Sequence, residues 1–401
     1  MTENTANINW NQTLNKIEKI INQHKSRRLS LLGRKNIINA LILPHILQVA
    51  AIFYPRQSTI NQIENKIFKF LWYPQIIEPQ ARKQLIAPYN KGGLQIPDIE
   101  MKCATTYLIS MTTTIQEDNY ENSFFIQWAR YNMGTLVKQI NPNIYSNSIP
   151  HRPKPNETWK KRWDILQKYN LLAYKMHATT SKELYRTLLE QKCTQSDIKD
   201  DQDQPIPWTN ILLKIKNCNF FTLAEQSLSY KVAHKAFICG SFYDKKKLYK
   251  TKSNEIRKVK CKLCSTERDT INHVLLQCKT TNIIRKYIID TIKEETNTQL
   301  SNLQRAIMYN LLPNDMPKIN IIRKLLTIYR EEIIQLKENQ DKSNKYITNT
   351  NRKMQETLWK IKCKFKIIKN QATSQEKKKP STSRNQDLDK IIPRSPTKRN
   401  K

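Results

Sequence analysis

Residues 261–278 read Cys-Lys-Leu-Cys-Ser-Thr-Glu-Arg-Asp-Thr-Ile-Asn-His-Val-Leu-Leu-Gln-Cys, a stretch that brings three thiols and one imidazole close together in the chain. Cys261, Cys264, His273 and Cys278 form the Cys₃His ligand set of a tetrahedral structural zinc site. Four protein ligands leave no position for a water molecule, whereas a catalytic zinc ion normally keeps one position open. The stretch therefore predicts a structural Zn²⁺ that stabilises the fold.

The spacing of these ligands is compatible with one ion. The two residues between Cys261 and Cys264 let both thiols reach it from a tight turn. Val-Leu-Leu-Gln separates His273 from Cys278 and can form a helical turn, but residues five apart stack less well on an α-helix than residues four apart, so we expect local unwinding. The alternative is an accidental cluster of buried cysteines and a core histidine. The chain has only eight cysteines, and three of them fall in this stretch, which favours zinc.

The chain is strongly basic. Its 401 residues include 69 Lys and Arg against 34 Asp and Glu, a formal net charge of +35. A charge of this size indicates a polyanionic partner. RNA or DNA is the first candidate, an anionic membrane the second, and a purely solubilising role the third.

No segment of the sequence is typical of a membrane span or a secretory leader. The most apolar run, residues 40–54, is interrupted by Pro44, His45 and Gln48, and the first residues have neither a basic nor an apolar leader region. The cysteines outside residues 261–278 are scattered and suggest no disulfide framework. We therefore expect an intracellular protein of the nucleus, the cytoplasm or both, with no membrane partner.

Composition and apolar periodicity predict a mostly α fold. Only five glycines are present, and no Gly-rich phosphate loop occurs. The first predicted helix is basic, the second runs through Phe53 with a kink at Pro44, and the third opens with Thr59 and Gln62 in a capping box and ends at Trp72. The buried face of the third helix is predicted to contain Ile60, Ile63, Ile67, Phe70 and Leu71.

Further helices are predicted on both sides of the metal-ligand stretch. They cover residues 221–237 before it and 283–292, 303–312 and 321–336 after it. Residues 359–366 alternate between apolar residues and lysines like an exposed strand, but a helix fits them equally well. We favour a helix because the neighbouring segments are helical. The apolar residues that satisfy helical spacing here are Leu358, Ile361, Phe365 and Ile368.

The predicted domains follow changes in composition. Residues 1–140 form a helical region, residues 141–158 a Pro- and Asn-rich linker, residues 159–300 a helical connector that includes the zinc module at 261–278, and residues 301–370 a set of carboxy-terminal helices. Residues 371–401 are rich in Lys, Ser and Pro and predict a disordered basic tail.

Three strings in the amino-terminal region carry a family resemblance. They are Leu-Ser-Leu-Leu-Gly-Arg at 29–34, Phe-Leu-Trp at 70–72 and Lys-Gly-Gly-Leu-Gln-Ile-Pro-Asp at 91–98. In order and spacing they resemble the segment that follows the polymerase palm in LINE-type non-LTR retrotransposon reverse transcriptases. The resemblance implies a helical thumb-like bundle that grips the duplex of template and primer.

The metal-ligand stretch resembles the zinc-binding region that closes the same reverse transcriptases. The family's ligands fall on Cys261, Cys264, His273 and Cys278. Lys279 replaces the proline that commonly follows the last cysteine, and an isoleucine replaces a downstream tryptophan. The retroviral nucleocapsid knuckle is a weaker match, because it has four residues between the second cysteine and the histidine where this sequence has eight.

The resemblance implies a nucleic-acid-binding, carboxy-terminal part of such a reverse transcriptase, with the polymerase palm upstream as a partner. Lysines and arginines beside the predicted helices and the zinc module are the candidate contacts to RNA or DNA. The candidates are Arg27, Arg28, Arg34, Lys35, Lys160, Lys161, Arg162, Lys245, Lys246, Lys247, Lys258, Lys260 and Lys262.

Catalysis by this chain alone is not expected. Polymerisation requires paired carboxylates that hold two metal ions, and the only adjacent aspartates, Asp200 and Asp201, lie in a polar loop without a strand pattern. No nuclease carboxylate set follows Cys278. The alternative to a retrotransposon segment is a domesticated or cellular zinc-containing RNA-binding or structural protein without a polymerase role.

Overall fold

The architecture was analysed in a computed structural model, which describes residues 3–75, 77–116, 157–171, 180–193, 206–217, 221–237, 239–240, 259–300, 302–313, 315–342 and 350–377. Within these residues the chain is mostly helical, with no strand and a single antiparallel bridge between Lys260 and Arg268. The predicted fold class is therefore confirmed.

Fourteen α-helices are described. The first six are α1 (Glu3–Lys25), α2 (Leu31–Ile37), α3 (Leu43–Ala50), α4 (Gln57–Trp72), α5 (Arg82–Ile86) and α6 (Ile99–Gln116). Four precede the metal-ligand stretch, namely α7 (Glu157–Lys168), α8 (Ser181–Lys192), α9 (Trp208–Asn217) and α10 (Leu223–Ala233). Four follow it, namely α11 (Asn282–Thr296), α12 (Leu303–Tyr309), α13 (Ile319–Lys342) and α14 (Thr350–Lys377).

The kink predicted at Pro44 takes the form of a π-helical segment, Ile38–Ile42, between α2 and α3. Proline lacks an amide hydrogen, and its ring crowds the carbonyl four residues earlier, which here belongs to Ala40 inside the π segment. A wider turn at this point accommodates the ring. The helical run ends at Ala50 rather than at the predicted Phe53.

Helix α4 has the predicted buried face and the predicted end at Trp72. The predicted capping box is wrong, because the helix begins at Gln57, and Thr59 and Gln62 lie inside it. No residue between Pro55 and Thr59 opposes helix formation, and the Gln57 side chain donates a 3.2 Å hydrogen bond to Asn61 one turn later. The helix therefore forms earlier than the cap pattern suggests.

Two apolar cores organise the described residues. The larger core joins α1–α6, α9 and α10, the metal-ligand stretch and α11–α14, while the smaller one joins another face of α6 to α7 and α8. Helix α10 packs against α2, α12 and α13. Each core thus contains helices from more than one of the predicted regions.

The strings at 29–34 and 70–72 contact each other directly. Arg34 is buried and donates from Nη1 to the carbonyl oxygen of Leu71 at 3.2 Å. The amide of Leu32 donates to the Ser227 hydroxyl on α10 at 3.0 Å. Residues that are far apart in the chain thus form one packed unit.

The string at 91–98 folds into a tight turn against α9 and α10. Gly92 has φ = 82° and lies against the buried ring of Trp208, which in turn stacks on His234 with ring centroids 4.2 Å apart. Burial lowers the pKa of the His234 imidazole to about 3, so this ring is neutral at physiological pH. Asp98 ends the turn and accepts a 3.0 Å hydrogen bond from the amide of Met101 at the start of α6.

Residues 359–366 are helical, as we predicted in preference to an exposed strand. Helix α14 packs along α13 with Leu358, Ile361 and Phe365 buried, and it continues to Lys377. The predicted start of the disordered tail at residue 371 is therefore wrong, because helical periodicity outlasts the change in composition. Residues 378–401 and 141–156 lie outside the described residues, and the last two linker residues open α7.

None of the described helices is both long and apolar enough to cross a bilayer.

The turn at 91–98 generates a stability prediction. A Cβ atom on Gly93 would lie 1.7 Å from the carbonyl oxygen of Ala87, so the backbone would have to move. We expect Gly93→Ala to lower the free energy of unfolding by about 1–3 kcal/mol, as overpacking does, measured by thermal unfolding followed by circular dichroism.

Gly33→Ala is the matched control. Gly33 lies in α2, and a Cβ there would meet the Ser30 hydroxyl at 3.4 Å, an ordinary contact. We expect this variant to be as stable as the parent, or more stable by up to about 1 kcal/mol, because alanine favours helix. Equal loss of stability in both variants would contradict the packing described for the turn.

Candidate metal centre

The four predicted ligands converge. One ligand atom each from Cys261, Cys264, His273 and Cys278 lies within 4.8 Å of all the others, and Cys264 Sγ and His273 Nε2 are 3.2 Å apart. A tetrahedral zinc ion would hold its sulfur and nitrogen donors about 3.5–3.8 Å from one another. Small side-chain movements therefore suffice for the group to hold a metal ion.

The first two ligands come from a short loop whose stem is closed by backbone hydrogen bonds. The amide of Cys261 donates to the carbonyl of Glu267 at 2.8 Å, and the amide of Asp269 donates to Val259 at 2.9 Å. At the loop's tip the amide of Ser265 donates back to Cys261 at 2.7 Å, with Ser265 at φ = 60°. This tight reversal places the thiols of Cys261 and Cys264 on the same side of the loop.

The other two ligands are brought together by a π-helical segment, His273–Gln277. The amide of Cys278 donates to the carbonyl of His273 at 2.7 Å, a bond between residues five apart. In this wider turn the two ligands approach each other as they could not in a regular α-helix. The local unwinding expected from the sequence is confirmed.

The electrostatic environment favours a thiolate at Cys278. A hydrogen bond from the Cys261 thiol lowers the pKa of Cys278, and the backbone amides of Thr280 and Thr281 and the charge of His273 act in the same direction. The same pairing, together with burial, raises the pKa of Cys261. Two neighbouring thiols cannot both ionise readily without a cation between them, which is the situation that a bound metal ion relieves.

Contacts from outside the stretch hold the centre in place. The Tyr329 hydroxyl on α13 donates to the carbonyl of Leu275 in the π segment at 2.5 Å. The Thr280 hydroxyl donates to Leu263 at 3.0 Å and so joins the two halves of the centre. Val274, Leu275 and Cys278 are fully buried in the larger core. The centre is thus part of the main core rather than an appended module.

A buried ion pair links the stem of the loop to α13. Asp269 Oδ2 lies 3.2 Å from Lys337 Nζ, and both side chains are at least 93% buried. Asp269 also accepts a 2.6 Å hydrogen bond from the amide of Gly240. This pair could not be predicted from the sequence, because its members are distant in the chain and charged residues are normally exposed.

Two of the predicted nucleic-acid contacts are buried and must be corrected. Arg34 bonds to the end of α4, and burial lowers the pKa of its guanidinium. Arg162 is 2% exposed, with its guanidinium carbon 3.8 Å from the centroid of the Tyr107 ring. Both arginines serve as packing groups, because their helices turn these positions toward the cores.

The remaining candidates vary in accessibility. Lys35 is half-buried and donates to the Tyr89 hydroxyl at 2.6 Å, and Lys161 is half-buried near the Tyr54 ring. Lys245, Lys246, Lys247 and Lys258 lie outside the described residues, as do Asp200 and Asp201. The candidates with exposed side chains are Arg27, Arg28, Lys160, Lys260 and Lys262.

Helix α14 has a basic, solvent-exposed surface at residues 359–367. Trp359 is 66% exposed and Ile367 57% exposed on the face opposite α13. Their neighbours Lys360, Lys362 and Lys366 are also exposed. An exposed tryptophan among lysines is the signal that could have identified this face, once the stretch was placed on a helix.

A scan of known protein families found no family model that matches this chain.

The buried ion pair generates a second prediction. Lys337→Met leaves Asp269 charged and buried without its partner, so we expect the free energy of unfolding to fall by about 3–5 kcal/mol, measured by urea denaturation. The double variant Asp269→Asn/Lys337→Met removes the orphaned charge and should recover part of this loss.

Lys318→Met is the control, because its ion pair with Glu295 leaves the lysine about half exposed. The expected cost there is about 0–1 kcal/mol. A Lys337→Met variant no less stable than Lys318→Met would rule out a structural role for the buried pair.

Proposed function

We propose that this protein is a nucleic-acid-binding module whose fold is stapled by a structural Zn²⁺. The observation that carries the proposal is the convergence of three thiols and one imidazole in a buried centre. The donor set contains no carboxylate, which disfavours the hard cations Mg²⁺ and Ca²⁺. With all four positions filled by protein, the ion holds two turns of the chain together and activates no water.

Nucleic acid is the partner that the charge supports. A net charge of +35 on 401 residues favours a partner rich in negative charge, and phosphates recur along RNA and DNA at regular spacing. The exposed lysines Lys260 and Lys262 lie on either side of the candidate ligand Cys261 in the chain. Three more, Lys360, Lys362 and Lys366, are exposed on α14. These groups would neutralise phosphates without reading sequence.

We further propose that the chain corresponds to the thumb-like and zinc-binding segments of a LINE-type reverse transcriptase, acting beside a polymerase palm and not catalytic by itself. Support comes from the packing of the strings that carry the resemblance. Arg34 bonds to Leu71, and Gly92 lies against Trp208 next to α10, which packs against α12 and α13. Segments of one functional unit are expected to pack together in this way.

Zinc content and binding test the proposal together. The purified protein should contain about one zinc ion per chain by elemental analysis. Binding to structured RNA and to duplex DNA should weaken by roughly 0.7–0.9 decades per decade of salt for each phosphate neutralised. Cys278→Ser should lose most of the zinc.

Cys363→Ser is the matched control, because Cys363 lies on α14 outside the metal centre. It should keep its zinc and its binding. A parent protein without zinc, or equal zinc loss in both variants, would contradict the metal proposal. Binding that does not change with salt would contradict the nucleic-acid proposal.

The exposed face of α14 generates a separate prediction. Trp359→Ala should weaken binding to single-stranded RNA by about 1–3 kcal/mol, the contribution of one stacked base, whereas Trp359→Phe should retain most of the affinity. Ile367→Ala removes a neighbouring exposed apolar side chain without an aromatic ring and should have little effect. Fluorescence anisotropy with a labelled oligonucleotide measures all three. Equal affinity of Trp359→Ala and the parent would exclude stacking here.

A further inference from the structure

Two adjoining cavities form a groove beside the turn at 91–98. One, of about 550 Å³, lies between this turn, α6 and α8, and the other, of about 380 Å³, lies between α2, the same turn and α10. Asn39 and Gln95 line both cavities and therefore mark the place where they meet. We refer to the two cavities together as the groove.

Three cations converge in the larger cavity. Lys102 comes from α6, and Lys182 and Arg186 come from α8. Among the described residues no carboxylate lies within 4.0 Å of any of the three, and Glu190 is the one acidic residue in the lining. Burial lowers the pKa of Lys102, and the neighbouring charge of Lys182 lowers it further. Glu183 on α8 also interacts electrostatically with Lys182 and Arg186, but its side chain does not line the cavity, so the lining has an excess of positive charge.

Neutral hydrogen-bonding groups complete the lining. Asn39, Asn90 and Gln95 present side-chain amides. Gln95 has φ = 55°, a conformation that few residues other than glycine adopt. Its backbone N–H donates a 3.0 Å hydrogen bond to the carbonyl oxygen of Ala87. The tight turn thus holds the side chain of Gln95 where the cavities meet, at the expense of local strain.

Of the three tyrosines that line the groove, Tyr230 is buried, and Tyr185 and Tyr89 each lie under a cation. Lys102 Nζ lies 3.9 Å from the centroid of the Tyr185 ring, and Lys35 Nζ lies 4.8 Å from that of Tyr89. A cation over one face of a ring reduces the ring surface that could stack on a nucleobase. The lining therefore favours contacts with a phosphate chain over stacking on bases.

We propose that this groove binds the sugar–phosphate backbone of a nucleic-acid strand, with Lys102, Lys182 and Arg186 on the phosphates and the side-chain amides of Asn39, Asn90 and Gln95 on phosphate or sugar oxygens. The inference rests on the proposed function and identifies the groove as the place where the nucleic acid binds. A mobile surface lysine neutralises one phosphate alone, whereas cations from α6 and α8 at a fixed turn set the path of the strand. Contacts of this kind are independent of base sequence.

The test removes the three charges together. The variant Lys102→Gln/Lys182→Gln/Arg186→Gln should reduce the slope of log affinity against log salt by roughly 2.7 for duplex DNA, or roughly 2.1 for a single strand, and by the same amount for unrelated sequences. Circular dichroism and zinc content should stay at parent values. Fluorescence anisotropy over a series of salt concentrations gives the slope.

The matched control is Lys279→Gln/Lys286→Gln/Lys293→Gln. These three lysines are exposed, follow the metal centre and do not line the groove. The control should change the slope by less than half as much as the groove variant. Equal changes in both variants would overturn the localisation, and a parent that binds no nucleic acid would overturn the proposed function instead.

If the groove variant does not fold, lysine-acetylation footprinting of the parent protein tests the same proposal. Acetylation of lysines, read by mass spectrometry, should be slower at Lys102 and Lys182 when duplex DNA is bound. Unchanged acetylation of both, while DNA is bound, would overturn the proposal. Anionic lipid vesicles serve as the alternative polyanion, and protection by vesicles but not by DNA would assign the groove to lipid headgroups and likewise overturn it.

Discussion

The four candidate metal ligands lie in the main core or pack against it, so a metal ion bound there would constrain the fold. Cys261 and Cys278 are buried with Val274 and Leu275, and the same core reaches the first helices of the chain. Without a bound cation, the hydrogen bond between Cys261 and Cys278 lowers the pKa of Cys278 and raises that of Cys261, so the two thiols do not ionise together. A bound ion removes that conflict and fixes a turn that has few apolar groups of its own.

Around this centre, α10 and α13 connect the remaining parts. Helix α13 contacts the π segment through Tyr329 and the loop stem through Lys337, while α10 packs against both α13 and α2. The turn at 91–98 then presses Gly92 against Trp208, next to α10. The candidate metal ligands, the buried ion pair and the glycine turn therefore belong to one continuous core.

Local features were predictable from the sequence and long-range ones were not. The ligand set, the unwinding between His273 and Cys278, and the buried face of α4 follow from spacing alone. The burial of Arg34 and Arg162 depends on which way each helix rotates in the assembled core, which composition does not specify. The same limit applies to the groove, because Lys102 and Lys182 are brought together by the packing of α6 on α8.

X-ray absorption at the zinc edge of the purified protein tests the central claim most directly. The account predicts about three sulfur neighbours near 2.3 Å and one nitrogen neighbour near 2.0–2.1 Å, with no water oxygen in the coordination shell. A spectrum dominated by oxygen and nitrogen neighbours, or a protein that holds no zinc after purification without chelators, would contradict a structural Cys₃His centre.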